Sequence, residues 1–309
     1  MCETIELLNT DLLKQYPGTV REIDYMCRIL GKQIGWHYIL DITYIVEYLS
    51  QMGLKRGATI LDAGASVGLL QFVLANRGYN IVSVDFSNRT IPLLESLIFS
   101  IKDMGGKHFK HPYLEHLELL KKNNRKTLLF QRILNRLSLM NIALLALPFM
   151  WIAKITGIRQ PGLIKFYRED MRKMDKIKNE SIDAVVSVSA IEHMEKETVK
   201  QAIEEFKRIL RPGGKMVITT SAAKEKDWFH VPSKSWCFSE STLKLIFGFS
   251  EKISSNWSKY GEIMREFHKS TELQQRIPPI YRKSGNNGMP WGKWDPKYLP
   301  VVIIKKIKK

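Results

Sequence analysis

Short apolar runs alternate along this chain with amphipathic stretches of helical spacing. The apolar runs with strand character cover residues 58–64, 80–87, 163–170, 183–188 and 215–222. Helical segments follow at 69–78, 88–101, 197–210 and 239–248, and two further strands are predicted at 252–258 and 298–309. Because buried strands that alternate with helices form a mostly parallel sheet covered on both faces, we predict an α/β fold.

Three segments depart from this alternation. Residues 1–57 are predicted to form an N-terminal helical cap on a main domain at 58–309, since residues 36–54 place apolar side chains at helical spacing. Residues 102–163 are basic at first and apolar later, which indicates a helical insertion that interrupts the main domain. Residues 259–297 contain Pro and Gly and are predicted to form an irregular connection.

The first predicted strand of the main domain ends in a glycine-containing loop, DAGASVG at residues 62–68. Gly64 lets the backbone turn tightly and approach a ligand, and Gly68 begins a helix whose first amides face the same place. Asp62 is placed to orient this loop or to meet an ammonium group. A glycine loop alone is also compatible with a plain strand–helix turn, so the neighbouring strand ends must decide.

Each of the next three predicted strands ends in residues suited to a nucleoside. Asp85 closes the second strand, where a carboxylate can accept both hydroxyls of a ribose. Asp170 and Met171 follow the third strand and suit an adenine amino group and its ring. Residues 189–193 (SAIEH) follow the fourth strand. Parallel strands present their carboxyl ends at one edge of a sheet, so these positions predict one pocket.

The glycine spacing favours S-adenosylmethionine over a dinucleotide. A dinucleotide-binding loop has the pattern G-x-G-x-x-G, whereas Ser66 occupies the middle position here. The segments ILDAGASVG, VSVD, REDM, SVSAIEHM and ILRPGGKMVITT resemble the type-11 class I S-adenosylmethionine-dependent methyltransferases over roughly residues 58–100 and 163–250. The resemblance implies a Rossmann-like, seven-stranded, mostly parallel sheet whose last strand is antiparallel.

The resemblance also implies roles for individual residues, with S-adenosyl-L-methionine as the cofactor. The residues that would hold its methionine part are Asp62, Gly64 and Gly68, and the residue that would hold its ribose is Asp85. The residues that would flank the adenine are Asp170 and Met171, and those that would line the pocket are Ser189 and Ala190.

The residue expected to act on the methyl acceptor is His193, which follows the fourth strand near the methyl group and can take a proton near neutral pH. A loop-capping role for His193 is the alternative, and Glu192 is a second candidate base. The aromatic residues that either line the acceptor pocket or pack in the core are Trp36, His37, Tyr38, Trp228 and His230.

The insertion carries a possible membrane-binding segment. Residues 126–136 form a basic amphipathic stretch, and residues 137–153 contain no charged side chain. This pattern favours a helix or hairpin of 126–159 that lies on an anionic membrane surface, with a lid, a dimer helix or a true span as alternatives. The histidines at 108, 111 and 116 do not match a familiar ligand spacing, so no metal is predicted.

The charge and the cysteine content limit which partners and which compartment fit this protein. The formal net charge of +17 indicates an anionic partner such as a membrane surface, a phosphorylated substrate or a nucleic acid. The three cysteines lie far apart, which predicts no disulfide framework and a reducing compartment. The first thirty residues lack the pattern of a signal peptide, so we predict a cytoplasmic protein, with a peripheral position on the inner face of a membrane as the alternative.

Three functions fit these observations. The first is a methyltransferase that acts on a small-molecule or lipid-linked acceptor. The second is a nucleic-acid methyltransferase, which the charge permits; the SAIEH turn, however, differs from the N/D-P-P-Y turn of amino-directed nucleic-acid enzymes. The third is a non-catalytic cofactor-binding protein associated with a membrane. The methyl acceptor, the atom methylated and the oligomeric state are left open.

Overall fold

The computed structural model describes residues 3–89, 93–106, 148, 151–152, 156–157, 160–283 and 285–307. Nearly all of the predicted membrane, lid or dimer segment within 126–159 lies outside the described residues, as do the three histidines between 108 and 116. Within the described ranges, no helix combines the length and the apolar character that crossing a bilayer requires.

The elements of the described ranges follow the chain in this order. The helices are α1 (Asp11–Gln15), α2 (Pro17–Leu30), α3 (Tyr38–Gln51), α4 (Leu70–Asn76), α5 (Leu93–Ile98), α6 (Val199–Ile209), α7 (Glu240–Phe247), α8 (Tyr260–Lys269) and α9 (Thr271–Gln275). The strands are β1 (Thr4–Leu7), β2 (Thr59–Ala63), β3 (Asn80–Asp85), β4 (Ser100–Gly106), β5 (Leu163–Arg168), β6 (Ile182–Val188), β7 (Leu210–Ala222), β8 (Trp228–His230), β9 (Ser235–Cys237), β10 (Ser254–Ser255) and β11 (Leu299–Lys306).

One large sheet organises these elements. In the described part of the chain it has nine strands in the order β10-β1-β11-β7-β6-β2-β3-β5-β4, while β8 and β9 form a separate antiparallel hairpin. The neighbours in the large sheet are parallel except where β11 pairs antiparallel with β7 and with β1. The predicted α/β class, the mostly parallel sheet and the antiparallel last strand are therefore confirmed.

The described sheet has nine strands where the resemblance implies seven. The helical lead-in contains β1, in which Ile5 and Leu7 are buried and the alternate residues are partly exposed. Four residues are too few for this alternation to stand out beside long helices. The helix predicted over 88–101 ends at Ile98, and the edge strand β4 follows where the insertion was predicted to begin. Because β4 is mostly exposed, it shows no apolar run.

The connection at 259–297 is more regular than predicted. It contains α8, whose buried residues Tyr260, Ile263 and Phe267 recur at helical spacing between charged neighbours, and it contains the short helix α9. The Pro and Gly residues lie mainly in the later part of the connection, and their presence led to the prediction of an irregular segment in place of the helical period of α8. The strand predicted at 252–258 is reduced to the two residues of β10, because Trp257 already begins a 3-10 turn.

Amphipathic spacing and capping explain the two helices on either side of β7. In α6, the buried residues are Val199, Ala202, Ile203, Phe206 and Ile209. At the start of α7, the hydroxyl of Ser239 accepts a hydrogen bond from the backbone N–H of Thr242, and the helix ends at Gly248 with φ of 64°. Both helices therefore begin and end close to the predicted positions.

The parallel registers bring the ends of the central strands together. Asp62 of β2 lies opposite Ser83 of β3 on one side and opposite Val186 of β6 on the other. The carboxyl ends of these strands, at Ala63, Asp85 and Val188, consequently lie along one edge of the sheet.

The position of β1 in the sheet generates a prediction about stability. Ile5 is fully buried between β11 and β10, so Ile5→Ala should lower the free energy of unfolding by about 2–4 kcal/mol. Urea denaturation measures this change. Thr4→Ala is the matched control on the same strand and should cost less than about 1 kcal/mol, since it removes one exposed hydrogen bond. Equal effects of the two substitutions would contradict the placement of β1 in the core.

Candidate active site

The glycine loop after β2 lies against the ends of two other strands. Gly64 has φ of 69°, and a Cβ atom built on it would lie 2.4 Å from Cβ of Ala190 and 3.0 Å from Cε of Met171. Any side chain at Gly64 would collide with both neighbours. Three residues singled out in the sequence, Gly64, Met171 and Ala190, therefore meet at one place.

Gly68 closes the loop immediately before α4. Its backbone N–H donates a hydrogen bond to the carbonyl of Ala65 at 2.8 Å. A Cβ atom on Gly68 would lie 2.7 Å from that same carbonyl oxygen, so the turn requires glycine here. The loop thus reaches the helix by a tight turn, as predicted.

Asp62 and Ser189 contribute buried polar atoms with no hydrogen-bond partner. Within the described ranges, Oδ2 of Asp62 and Oγ of Ser189 have none. They belong to the ends of the paired strands β2 and β6. Because an unpaired buried polar atom costs about 1–3 kcal/mol, such atoms call for a ligand. Burial raises the pKa of Asp62 to about 7, an effect that the Arg89 guanidinium opposes and the Asp85 carboxylate increases.

Asp85 connects the end of β3 to the glycine loop. Its Oδ2 accepts a hydrogen bond from the backbone N–H of Ser66 at 2.8 Å, and its Oδ1 accepts one from the backbone N–H of Ser87 at 2.7 Å. Ser66 has φ of 44°, in the left-handed region that a non-glycine residue rarely occupies. A carboxylate can accept about four hydrogen bonds, so Asp85 holds the loop and retains acceptor capacity.

Arg89 is a part of the site that the sequence analysis missed. Its guanidinium donates to the carbonyls of Ser66 and Ser83, to the hydroxyl of Ser83 and to the carbonyl of Tyr167. It also lies 4.5 Å from the ring centroid of Phe166. Burial lowers the pKa of Arg89, and the Asp85 carboxylate opposes this shift. The only sequence signal was a cation four residues after the strand-end acid.

Asp170 and Met171 have different surroundings. Met171 is buried and contacts the glycine loop, as described above. The carboxylate of Asp170 is engaged by its neighbour Arg172, whose Nε and Nη2 donate to Oδ2 at 2.9 and 2.5 Å. The structure therefore brings Met171 to the loop and gives Asp170 a cationic partner.

The turn after β6 places its two ionisable residues in opposite environments. His193 is exposed, and its Nδ1 lies 3.0 Å from the carbonyl oxygen of Lys234. Glu192 is buried and accepts hydrogen bonds from the hydroxyls of Thr220 at 2.9 Å and Ser221 at 3.4 Å. Burial raises the pKa of Glu192, and the imidazole of His193 opposes that shift.

An aromatic cluster lies between the N-terminal cap and the C-terminal strand. Trp36 is buried, and its indole nitrogen donates to the hydroxyl of Tyr298 at 3.3 Å. The rings of Phe267 and Trp294 contact Trp36 edge to face. Gly288 covers this contact, because a Cβ atom on it would lie 2.9 Å from both the Trp36 nitrogen and the Tyr298 hydroxyl.

Two further predictions concern a metal site and the cysteines, and the structure describes only part of the residues involved. Within those ranges, no group of three or more His, Cys, Asp and Glu side chains is arranged to hold a metal ion. Cys27 and Cys237, the cysteines in the described ranges, are both free thiols, and burial raises the pKa of each. Neither cysteine is therefore prepared to act as a thiolate nucleophile.

One family model matches part of this chain. The type-11 methyltransferase family model, described as a methyltransferase domain, matches residues 148–218. No curated protein matches this chain. Many solved structures match it.

Three of these solved structures show how the identity, the coverage and the TM-score vary. A putative sarcosine dimethylglycine methyltransferase from Galdieria sulphuraria is 14% identical over 93% of this chain and 98% of its own, with a TM-score of 0.46. Magnesium protoporphyrin IX methyltransferase from Synechocystis, solved with bound SAM, is 14% identical over 67% of this chain and 65% of its own, with a TM-score of 0.35. A putative methyltransferase from an antibiotic biosynthesis pathway of Anabaena variabilis is 17% identical over 61% of this chain and 49% of its own, with a TM-score of 0.32. This chain therefore spans about half of that protein.

The family match includes β5, β6 and α6, and therefore covers two of the strand ends that form the site. The sheet has the mostly parallel order and the antiparallel last strand that the resemblance implies. The family match covers part of the chain, and the sheet order agrees with the class I methyltransferase fold that the resemblance implies.

Proposed function

We propose that this enzyme transfers a methyl group to a small-molecule or lipid-linked acceptor, and that it holds the cofactor along the carboxyl ends of β2, β3, β5 and β6. The observation that carries the proposal is the pair of buried, unpartnered acceptors, Oδ2 of Asp62 and Oγ of Ser189, on adjacent strands. S-adenosylmethionine carries an ammonium group and two ribose hydroxyls, so it offers the donors that such atoms lack.

The proposed roles follow the positions of the residues. Asp62 receives the ammonium group, while the backbone at Gly64 and Gly68 turns around the methionine part. Asp85 uses its remaining acceptor capacity for the ribose hydroxyls. The residues proposed for the adenine are Asp170 and Met171, and those proposed to line the pocket beside them are Ser189 and Ala190.

The protein contributes mainly by positioning the reactants and excluding water. When bound, the cofactor supplies a methyl group already activated on a positively charged sulfur. Holding an acceptor atom in line with such a group can supply several kcal/mol of the barrier reduction. Arg89 fixes the backbone of Ser66 and Tyr167 around the pocket, so the chain needs little rearrangement to hold the nucleoside.

Enclosure of the site supports a small acceptor. Trp36 and Tyr298 are almost fully buried, and Gly288 closes over them. A site bordered by packed aromatic side chains suits a compact, partly apolar molecule better than a folded nucleic acid. A lipid-linked acceptor depends on the apolar part of 126–159, and the docking of that segment on an anionic membrane stays a prediction.

Replacing Asp62 by asparagine should affect stability and cofactor binding in opposite directions. With a pKa raised to about 7, the folded carboxyl binds a proton over a pH range in which the unfolded one does not, so stability falls as pH rises from about 4 to 7. The substituted amide cannot ionise, so D62N should be more stable than wild type by about 1–3 kcal/mol at pH 8. It should also bind the cofactor about 10–100-fold more weakly, having lost an ionic hydrogen bond.

Urea denaturation at pH 5 and pH 8, and calorimetry with S-adenosylhomocysteine at pH 7.5, measure the two effects. D11N changes an exposed acid and serves as the control, with both properties unchanged. Unaltered affinity in D62N would remove the ammonium-binding role. A stability gain that does not grow with pH would contradict the raised pKa.

Replacing Asp85 by alanine should weaken cofactor binding by about 10–100-fold, because the ribose loses its acceptor and the loop loses the bond to Ser66. Calorimetry with S-adenosylmethionine and S-adenosylhomocysteine measures the change. D175A removes an exposed acid that is not proposed to contact the cofactor and should bind as wild type does. Wild-type affinity in D85A would refute the ribose-binding role.

The acceptor class can be tested by methyl transfer from tritium-labelled cofactor. The purified enzyme is incubated separately with aqueous small molecules, with lipid vesicles and with nucleic acids prepared from one cell extract. We expect label in the small-molecule or lipid fraction. Label confined to nucleic acid would favour that alternative, and cofactor binding with no label in any fraction would favour a non-catalytic protein.

A further inference from the structure

A buried histidine–aspartate pair lies at the start of α3. Nδ1 of His37 and Oδ2 of Asp41 are 2.6 Å apart, and the side chains are 3% and 0% exposed. The two residues are four positions apart, so one helical turn brings them together. The second oxygen of Asp41, Oδ1, is buried with no partner within the described ranges.

The hydrogen bond to Asp41 sets the form of the imidazole. A carboxylate accepts the proton of Nδ1, so in the neutral ring the lone pair lies on Nε2. No hydrogen bond to Nε2 of His37 occurs within the described part of the chain. The neutral ring of this pair thus has a free basic nitrogen, and a buried acid orients it.

The surroundings of His37 connect it to the proposed cofactor pocket. Glu192, two residues after Ala190, interacts electrostatically with both His37 and Tyr38. The rings of Trp36, Tyr38 and Tyr298 lie 4.7, 5.0 and 5.8 Å from the His37 ring. The titratable groups facing His37 are therefore Asp41 on its own helix, Tyr38 beside it, Glu192 on the turn after β6, and Tyr298 on the segment that enters β11.

We propose that His37 is the general base that deprotonates the methyl acceptor and that Asp41 is its positioning residue; this inference rests on the methyl transfer proposed above. The O–H or N–H bond of the acceptor breaks, and the proton goes to Nε2 of His37. The electron pair stays on the acceptor atom and forms its bond to the transferred methyl carbon. The imidazolium keeps its hydrogen bond to Asp41 and releases the proton to solvent when the product leaves.

This location differs from that expected for His193. His193 is exposed and its Nδ1 faces a backbone carbonyl, whereas His37 is buried beside a carboxylate and among aromatic rings. Exclusion of water strengthens the interaction of the imidazole with the charges around it. Substitution of each histidine can therefore show which of the two acts as the base.

Turnover in variants separates the two candidates. The acceptor fraction labelled by the wild-type enzyme serves as substrate for H37Q, H193Q and H268Q, the last of which alters an exposed histidine on α8. We expect H37Q to lower kcat about 10²–10⁴-fold, with the affinity for S-adenosylhomocysteine within twofold of wild type. H268Q should retain kcat, and the fall in H37Q should exceed any fall in H193Q. Wild-type kcat in a folded H37Q protein would overturn the proposal.

A spectroscopic test on the wild-type protein needs neither an acceptor nor a folded variant of His37. With ¹⁵N-labelled histidine, long-range proton–nitrogen spectra should show the His37 imidazole, assigned by its contact with the Trp36 ring, with the proton on Nδ1 and an unprotonated Nε2. In D41N this preference should be lost and kcat should fall while KM for the acceptor is retained. A His37 imidazole that carries its proton on Nε2 in the wild type would overturn the inference.

The outcomes distinguish this inference from the function on which it rests. If the wild type binds no cofactor and labels no fraction, the methyl transfer fails whatever the imidazole spectra show. If the wild type transfers methyl groups and H37Q does so equally well, the methyl transfer stands and the base assignment fails.

Discussion

The site depends on the cost of burying acceptor atoms that the protein itself leaves unpaired. Asp62 ends the central strand β2 in an environment that raises its pKa to about 7, and Ser189 adds a second unpaired oxygen on the adjacent strand. Most of the surrounding structure counteracts this cost. Arg89 supplies a half-buried positive charge, and Asp85 holds the glycine loop by its hydrogen bond from the backbone N–H of Ser66. Stability is thereby given up where a cationic ligand can restore it.

Much of this arrangement could be predicted from the sequence because it follows from periodicity. Strands buried on both faces are continuous apolar runs, and their ends are marked by Gly64, Asp85, Met171 and Ala190. Parallel pairing then brings those ends together without further information. The short strand β1 and the exposed strand β4 could not be predicted in this way, because neither carries an apolar run long enough to stand out.

The burial and the contacts of individual side chains could not be predicted from the sequence for a different reason. Arg89 reaches four acceptor atoms through a long side chain, and its position in the chain does not reveal them. His37 and Asp41 are four positions apart, but this spacing does not reveal their burial or the contact of His37 with Tyr298, far away in sequence. Likewise, Glu192 and His193 are neighbours whose exposure differs because a tight turn points them apart. Such contrasts depend on tertiary packing.

The strand β1 has a consequence for how the molecule is made. It sits between β11 and β10, and Glu3 accepts a hydrogen bond from Lys306, 303 residues away. A chain that emerges from the ribosome with its N-terminal side first leaves Ile5 and Leu7 without their partner strand until β11 has been synthesised. Closing so long a loop is slow, so we expect the completed sheet edge to form only after β11 has been synthesised, with this short apolar segment open to chaperones in the meantime.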